Sequence, residues 1–169
     1  MPDSEDNAYL KDALHQFRSL KRLADGAINQ ISEDQFFETL DPESNSIAII
    51  VKHIAGNMFS RWTDFLTTDG EKPNRNRDGE FMIGSGNDIQ SLLNYWEAGW
   101  DCMFAAVEPL TPSDLGKTVY IRKQPHLVIE AINRQMTHYA GHIGQIVFLA
   151  KHFAGDKWQT LSMARKRPS

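Results

Sequence analysis

The chain has 169 residues, which is the length of a single domain and is sufficient to bury a hydrophobic core. Hydrophobic residues make up 41% of the chain and charged residues 24%, as is typical of soluble globular proteins. The net charge of −4 and the pI near 5.8 argue against nucleic-acid binding, which normally requires a basic excess. The one concentrated run of positive charge, Arg165–Arg167, is predicted to be a solvated end.

A single cysteine, Cys102, excludes a disulfide within the chain and suits a reducing compartment. No activating group neighbours it in sequence, so we predict a structural thiol. The acidic N-terminus lacks the apolar segment of a signal peptide, and no apolar run approaches the roughly 18 residues of a membrane span. We therefore expect a cytoplasmic protein that has no membrane partner.

Apolar residues at helical spacing predict four long helices. The first extends from a cap at Ser4 to about Ile31, and Ser32 begins a new cap with a short turn. The second long helix extends from about Ser46 to Thr68. Each of the two has one apolar stripe, so each is expected to bury one face.

The segment Asp69–Gly86 is the longest irregular stretch and is rich in glycine, asparagine and charge. A loop of this length in a compact domain is commonly functional or disordered. Its alternating charges leave two interpretations open, an ordered salt-bridged loop and a plain solvated connection. The role of its Asp69–Phe81 part is not determined by the sequence.

The third long helix begins near Asn87 or Asp88 and ends at about Leu110, before Pro112. The residues Thr118–Ile121 favour a short extended piece, which is insufficient for an independent sheet. Pro125 suits the first turn of the fourth helix, which continues to about Phe153, with Gly155 as the C-terminal cap. Four amphipathic helices predict a single all-α domain over residues 1–169, a four-helix bundle.

Two histidines of the fourth helix, His138 and His142, are four residues apart and therefore lie on one face, one turn from each other. This spacing lets both imidazoles reach one metal ion. The best third ligand is His53 on the second helix, because ligands from facing helices converge in the core of a bundle. Three independent hydrogen-bonded core histidines are the alternative.

Two glycines beside this pair, Gly141 and Gly144, are expected to let a neighbouring helix approach the imidazoles closely. Of the other three histidines, His15 is predicted to be exposed and without a role, and His126 and His152 are predicted to point away from the cluster and to be exposed. In the tail, Trp158 and Leu161 are predicted to dock on the helices or on a second subunit.

The segments Val51–Asn57 and His138–Ile146 resemble the signatures of the DinB/YfiT-like superfamily of metal-dependent enzymes, and Phe65–Phe81 is similar to a bacterial subfamily of unknown function. The resemblance covers nearly the whole chain. It implies a four-helix bundle with up-down-down-up topology, usually a homodimer, and a divalent metal bound by three histidines. By position, these ligands match His53, His138 and His142.

Characterised relatives in that superfamily include transferases and isomerases that use low-molecular-weight thiols such as bacillithiol or mycothiol. The resemblance therefore implies an S-transferase-like enzyme that acts on a small-molecule substrate at a zinc or nickel ion. Asn57, Arg134 and Gln145 are candidates for orienting a ligand or substrate, since they lie about one turn from the histidines.

Two other functions stay open: a metal-dependent hydrolase, and a non-catalytic dimeric metal- or small-molecule-binding stress protein. No carboxylate is obviously placed beside the three histidines as a general base, which favours the non-catalytic alternative. A transferase that uses a thiolate needs no such base, so this observation does not decide between them.

Overall fold

The computed structural model describes residues 5–163, which are mostly helical. The elements are α1 (Glu5–Ile28), α2 (Glu33–Phe37), α3 (Ile47–Trp62), α4 (Ile89–Val107), β1 (Thr118–Ile121), β2 (Gln124–Leu127) and α5 (Val128–Ala154). The predicted cap Ser4 and the basic cluster Arg165–Arg167 lie outside the described residues. Within the described range, no helix combines the length and the apolar character that crossing a bilayer requires.

The starts of three helices are set by side-chain caps at the predicted places. Ser32 and Gln35 form a reciprocal capping box, which makes the predicted short turn a five-residue helix, α2. The side chains of Ser46 and Asp88 each accept a hydrogen bond from a backbone N–H in the first turn of α3 and α4. Capping residues thus identify helix starts well in this chain.

Two helices end earlier than their apolar stripes predict. α1 ends at Ile28 instead of Ile31, and α3 ends at Trp62 instead of Thr68. After α3 the chain turns at Asp64, whose φ of 49° is left-handed. Phe65 is nevertheless buried, so the stripe continues across a turn that is no longer helical. The spacing of apolar residues shows which residues are buried, and here the buried residues extend beyond the last residue with helical hydrogen bonds.

The long connection between α3 and α4 is an ordered, salt-bridged loop, the first of the two interpretations. Glu71 lies at its centre and pairs with Arg61 at 3.0 Å, with Arg75 at 3.3 Å and with Arg122 at 3.0 Å. A short 3₁₀ helix, Asp78–Phe81, follows. These ion pairs fasten the loop to α3 on one side and to the turn between β1 and β2 on the other.

The placement of Pro125 in the first turn of the fourth helix is wrong. β1 and β2 pair antiparallel, Pro125 lies opposite Tyr120, and α5 begins only at Val128. Proline is tolerated in β2 because this strand has a free edge. The small sheet is stable because Val119 and Ile121 are buried against the helices, which a hairpin needs. The all-α prediction therefore omits one hairpin.

Each of the four long helices contacts two of the other three. α3 packs mainly against α4 and α1 mainly against α5, while smaller contacts join α3 to α5 and α1 to α4. In the core between α3 and α5, Trp62 Nε1 donates a hydrogen bond to the hydroxyl of Tyr139 at 2.9 Å. The up-down-down-up bundle topology stays a prediction. The contact between α3 and α5 is the one that places the histidines.

The described part of the tail docks on the same chain. Leu161 packs close to Gly26 of α1, and the backbone of Gln159 exchanges hydrogen bonds with the side chain of Gln30 at 2.7 and 3.1 Å. Trp158 also packs against the core. The tail was predicted to dock on the helices or on a second subunit, and in this structure it docks on the helices.

Candidate metal centre

The contact between α3 and α5 brings together the three histidines predicted as ligands. One ring nitrogen from each of His53, His138 and His142 lies within 4.8 Å of the other two. The ring centroids are 4.8 to 5.4 Å apart. His53 is buried and the other two rings are half-buried, so the cluster lies at the edge of the core. Two of the candidate ligands come from one turn of α5 and the third from the facing helix.

His53 has a neighbour at each ring nitrogen. Its Nδ1 lies 2.9 Å from Oε2 of Glu80, and because a carboxylate only accepts, Nδ1 carries the proton and donates it. In the neutral ring, this tautomer leaves Nε2 with a free lone pair. Nε2 lies 3.4 Å from Nε2 of His138. The carboxylate therefore orients the ring with its basic nitrogen towards the other histidines.

His142 is oriented in a similar way by Gln145, one of the residues predicted to play such a role. Nδ1 of His142 lies 3.0 Å from the amide oxygen of Gln145 and donates a hydrogen bond to it, which leaves Nε2 with the lone pair. The third ring differs, because Nδ1 of His138 is buried and has no hydrogen-bond partner among the described residues. Two of the three imidazoles thus have their tautomer set by a second residue.

The spacing of one pair of ring nitrogens fits a metal ion, and the third nitrogen lies within 4.8 Å of both. A tetrahedral ion with metal–nitrogen bonds of about 2.0 to 2.1 Å separates its nitrogen ligands by about 3.3 to 3.4 Å. The two Nε2 atoms of His53 and His138 are 3.4 Å apart. Without an ion, a proton on Nε2 of His138 makes this contact a hydrogen bond; with an ion, both Nε2 lone pairs would point to the metal. The donor set, three imidazoles, suits zinc and nickel.

Electrostatics keep the imidazoles of α5 in the metal-binding form. Burial, with the added effect of neighbouring His142, His53 and Arg134, lowers the pKa of His138 to about 3. Burial also lowers the pKa of His142, against the hydrogen bond to Gln145, which acts in the opposite direction. Both rings are therefore neutral at pH 7, and a neutral imidazole is the form that offers a lone pair to a metal.

Glu80 is the residue of this site that the sequence did not identify. It is buried, and besides His53 it binds Arg75, whose Nε and Nη2 donate to its two carboxylate oxygens at 2.8 Å each. Burial raises the pKa of Glu80, but the hydrogen bonds from His53 and Arg75 outweigh burial and hold the pKa below its usual value. Glu80 is therefore an ionised, fully engaged carboxylate.

The neighbour of Glu80, Phe81, also contacts the site. Its ring lies over His53 with the centroids 4.7 Å apart. Both residues come from the 3₁₀ helix of the long loop, far from His53 in sequence, so no spacing rule points to them. The available signal was the charge of the loop together with Gly56, one turn after His53, where α3 has no side chain in the way of Glu80.

The prediction that Gly141 and Gly144 allow a close helix contact is wrong. A Cβ atom built on either residue has nothing within 4 Å, because this face of α5 is open. The close approach occurs instead at Gly56, where a Cβ would lie 2.6 Å from Oε1 of Glu80. Spacing located glycines near the histidines, but only packing shows which of them has a neighbour.

We expect Gly56→Ala to destabilise the protein, while Gly141→Ala, the matched control, stabilises it. The new methyl group at position 56 must displace Glu80, which is pinned by His53 and Arg75, and such overpacking costs about 1 to 3 kcal/mol. At position 141 alanine only improves helix propensity, by about 1 kcal/mol. Urea unfolding of both variants measures the two effects. Equal shifts in the free energy of unfolding would contradict the proposed packing of Glu80.

The two other candidate residues do not touch a histidine by hydrogen bonding. Asn57 is buried, and its side-chain oxygen accepts from Gln135 at 2.6 Å and from Tyr139 at 3.3 Å. Arg134 is exposed and donates to the side-chain oxygen of Gln135 at 2.9 Å. Gln135 thus connects both candidates within one turn of His138, with Asn57 on the core side and Arg134 on the solvent side.

Comparisons with known proteins give a family and no reaction. No curated protein matches this sequence. Residues 4–167 match the family described as "Protein of unknown function (DUF1572)". This match spans almost the full chain, including both helices that carry the histidines and the loop that carries Glu80. The chain therefore belongs to the DUF1572 family.

Proposed function

We propose that this protein is a divalent-metal-dependent enzyme in which His53, His138 and His142 bind zinc or nickel. The observation that carries the proposal is the convergence of three ring nitrogens within 4.8 Å, with His53 and His142 each oriented by a hydrogen bond at Nδ1. Oriented imidazoles of this kind are typical of metal ligands. The resemblance to the DinB/YfiT-like superfamily supports the same assignment.

We further propose transfer or addition of a low-molecular-weight thiol as the reaction. His53, His138 and His142 would hold the ion with a coordination position open, and the ion would stabilise an anionic sulfur or oxygen there. A thiolate attacks an electrophile without a general base. The chain fits this requirement, because the carboxylate beside the cluster, Glu80, already accepts from His53 and Arg75.

The same observation counts against the hydrolase. A hydrolase usually needs a basic group to take a proton from the attacking water. The pKa of Glu80 lies below its usual value, and both of its oxygens are engaged, so it is a poor proton acceptor. Glu80 is instead suited to hold His53 in position.

Arg134 is the proposed contact for the substrate or the thiol. It is exposed, lies one turn before His138 on α5, and has guanidinium donors left after its bond to Gln135. An exposed guanidinium at the edge of a site binds carboxylates in a bidentate manner. Asn57 would act indirectly, through Gln135. A homodimer, which the resemblance implies, is a further proposal that light scattering checks.

The test is metal content followed by turnover. Protein purified without a histidine tag is expected to contain, or to take up, close to one zinc or nickel per chain by elemental analysis. The loaded protein is then assayed with bacillithiol or cysteine and 1-chloro-2,4-dinitrobenzene, by absorbance of the thioether. Turnover that disappears with the metal supports the enzyme. Metal binding without turnover of any pair of thiol and electrophile would favour the non-catalytic metal-binding protein. If the protein takes up no metal, both the enzyme and the metal-binding protein are rejected.

A further inference from the structure

A large groove lies on the other side of Glu80 from the histidines. It has a volume of about 1390 Å³, and its walls are α3, the segment 63–80, Tyr95 of α4 and the turn between β1 and β2. Gly56 and Glu80 belong to its lining, whereas none of the three histidines does. The groove is thus a separate space that shares one residue, Glu80, with the candidate metal centre.

Two of the four acidic residues of the lining, Glu71 and Glu80, are paired with cations within the protein. Glu80 binds Arg75 and His53, and Glu71 binds three arginines. Both carboxylate oxygens of Asp69 accept from backbone N–H groups. Asp64 is exposed at the rim. Glu71 and Glu80 therefore contribute little negative charge towards a ligand, whereas Asp64 and Asp69 form no ion pair among the described residues.

Several cations of the lining, in contrast, keep side-chain donors that bind no carboxylate. The ammonium groups of Lys52 and Lys72 donate only to uncharged oxygens. Lys123 has no ion pair in the part of the chain that the structure describes, and Arg122 uses only Nε, towards Glu71. The lining has five lysine and arginine residues against four aspartate and glutamate residues, a formal excess of one positive charge.

Two of these cations occupy an unusual backbone position. Arg122 and Lys123 form the two-residue turn between β1 and β2, and their φ angles are 54° and 63°. A turn with two left-handed residues favours Asn-Gly, because side chains with a Cβ are disfavoured there. The backbone N–H groups of both residues donate to Asp69, at 2.9 and 2.7 Å, which holds the turn in place. Two cationic residues therefore occupy strained backbone positions at the groove, where asparagine and glycine would be favoured.

Aromatic side chains form another part of the wall. Phe59 of α3 and Tyr95 of α4 stack with their ring centroids 5.2 Å apart, and both line the groove. Tyr95 is exposed, and Phe59 is half-buried. A flat apolar group of a ligand can therefore be covered by aromatic surface inside a groove whose lining is otherwise polar and charged.

We propose that this groove is a second ligand site, which binds a small organic anion with a flat apolar ring and a carboxylate or phosphate group. The ring lies against Phe59 and Tyr95. The anionic group is bound by Arg122 and Lys123, with Lys72 beside them. This site is distinct from the metal centre and does not require that the centre be catalytic.

Isothermal titration with three naphthalene probes tests the proposal. The probes are 2-naphthoate, 2-naphthyl phosphate and the uncharged 2-naphthamide. At least one anion is expected to bind the wild-type protein, at least about tenfold more tightly than the amide, because charge-assisted hydrogen bonds act only on the anion. The anion that binds more tightly shows whether the site prefers a carboxylate or a phosphate group.

The deciding variant is Arg122→Asn/Lys123→Gly. It removes both cations and introduces the dipeptide that this turn favours, so its unfolding midpoint is expected at or above that of wild type. Its affinity for the anions should fall at least about tenfold, with unchanged affinity for the amide. The matched control, Arg22→Gln/Lys151→Gln, removes two exposed cations elsewhere and should bind as wild type does.

Three results would overturn the proposal. The first is that neither anion binds the wild-type protein with a dissociation constant below about 1 mM. The second is that the turn variant binds both anions as tightly as the wild-type protein does. The third is that binding of the anions is lost in His142→Ala and retained in the turn variant. The third result would place the probe at the metal centre. Tyr95→Ala provides an independent check, because it should weaken all three probes together.

Discussion

Replacing His142 with alanine is expected to weaken metal binding by more than about 100-fold. Loss of a residue that only orients a ligand already costs 10- to 100-fold, and this substitution removes one of three proposed ligands. The measurement is metal content after dialysis against a chelator, followed by competition with a fluorescent zinc indicator.

His152→Ala is the matched control for this variant. It removes an imidazole from the same helix, but His152 is exposed and lies outside the cluster. It should keep the wild-type metal content. If both variants bind metal as wild type does, the ion is not held by the three histidines. If only His142→Ala loses metal, loss of histidine in general is excluded as the cause.

Glu80→Gln is expected to affect stability and metal affinity together. The variant keeps the shape of the side chain but removes the charge that Arg75 and His53 share, and breaking a buried ion pair from one side costs about 3 to 5 kcal/mol. Because Arg75 retains Glu71 as a partner, we expect about 2 to 4 kcal/mol. Zinc affinity should fall about 10- to 100-fold, since His53 loses its orienting carboxylate.

Chelator-treated protein separates these two effects. Urea unfolding without metal measures the ion pair, and zinc competition on folded protein measures the orientation of His53. Glu108→Gln is the control, because Glu108 pairs with Arg18 on the surface and should contribute no more than about 1 kcal/mol. A Glu80 variant that behaves like the Glu108 variant would show that the buried carboxylate neither stabilises the loop nor acts on the metal site.

The two proposed sites meet at one ion pair. Arg75 and Glu80 lie in the lining of the groove, and Glu80 also binds His53. Both sites therefore depend on the ordered conformation of the loop between α3 and α4. This dependence gives the loop a structural role that its charge pattern alone left open.

The sequence by itself determined the elements that carry the centre. Apolar spacing located the long helices, Ser32, Ser46 and Asp88 marked helix starts, and the four-residue spacing placed His138 and His142 on one face. Such features depend on residues within one or two turns of each other. Local hydrogen bonding and helical periodicity are therefore sufficient to read them.

Local patterns were insufficient where a strand partner or a turn decided the backbone. Pro125 has the right chemistry for a helix start, but pairing with β1 holds it in a strand. The helical stripe of α3 continues to Phe65 although the helix ends at Trp62. In both places tertiary contacts override the preference of a few residues.

Only the tertiary structure decided which residues surround the histidines. Glu80 reaches His53 because a loop folds back over Gly56, and Gly141 faces open space although it lies between two proposed ligands. A contact between residues distant in sequence depends on the path of the intervening chain. Packing of the whole core and the ion pairs of the loop set that path, and neither is encoded in the spacing of any single motif.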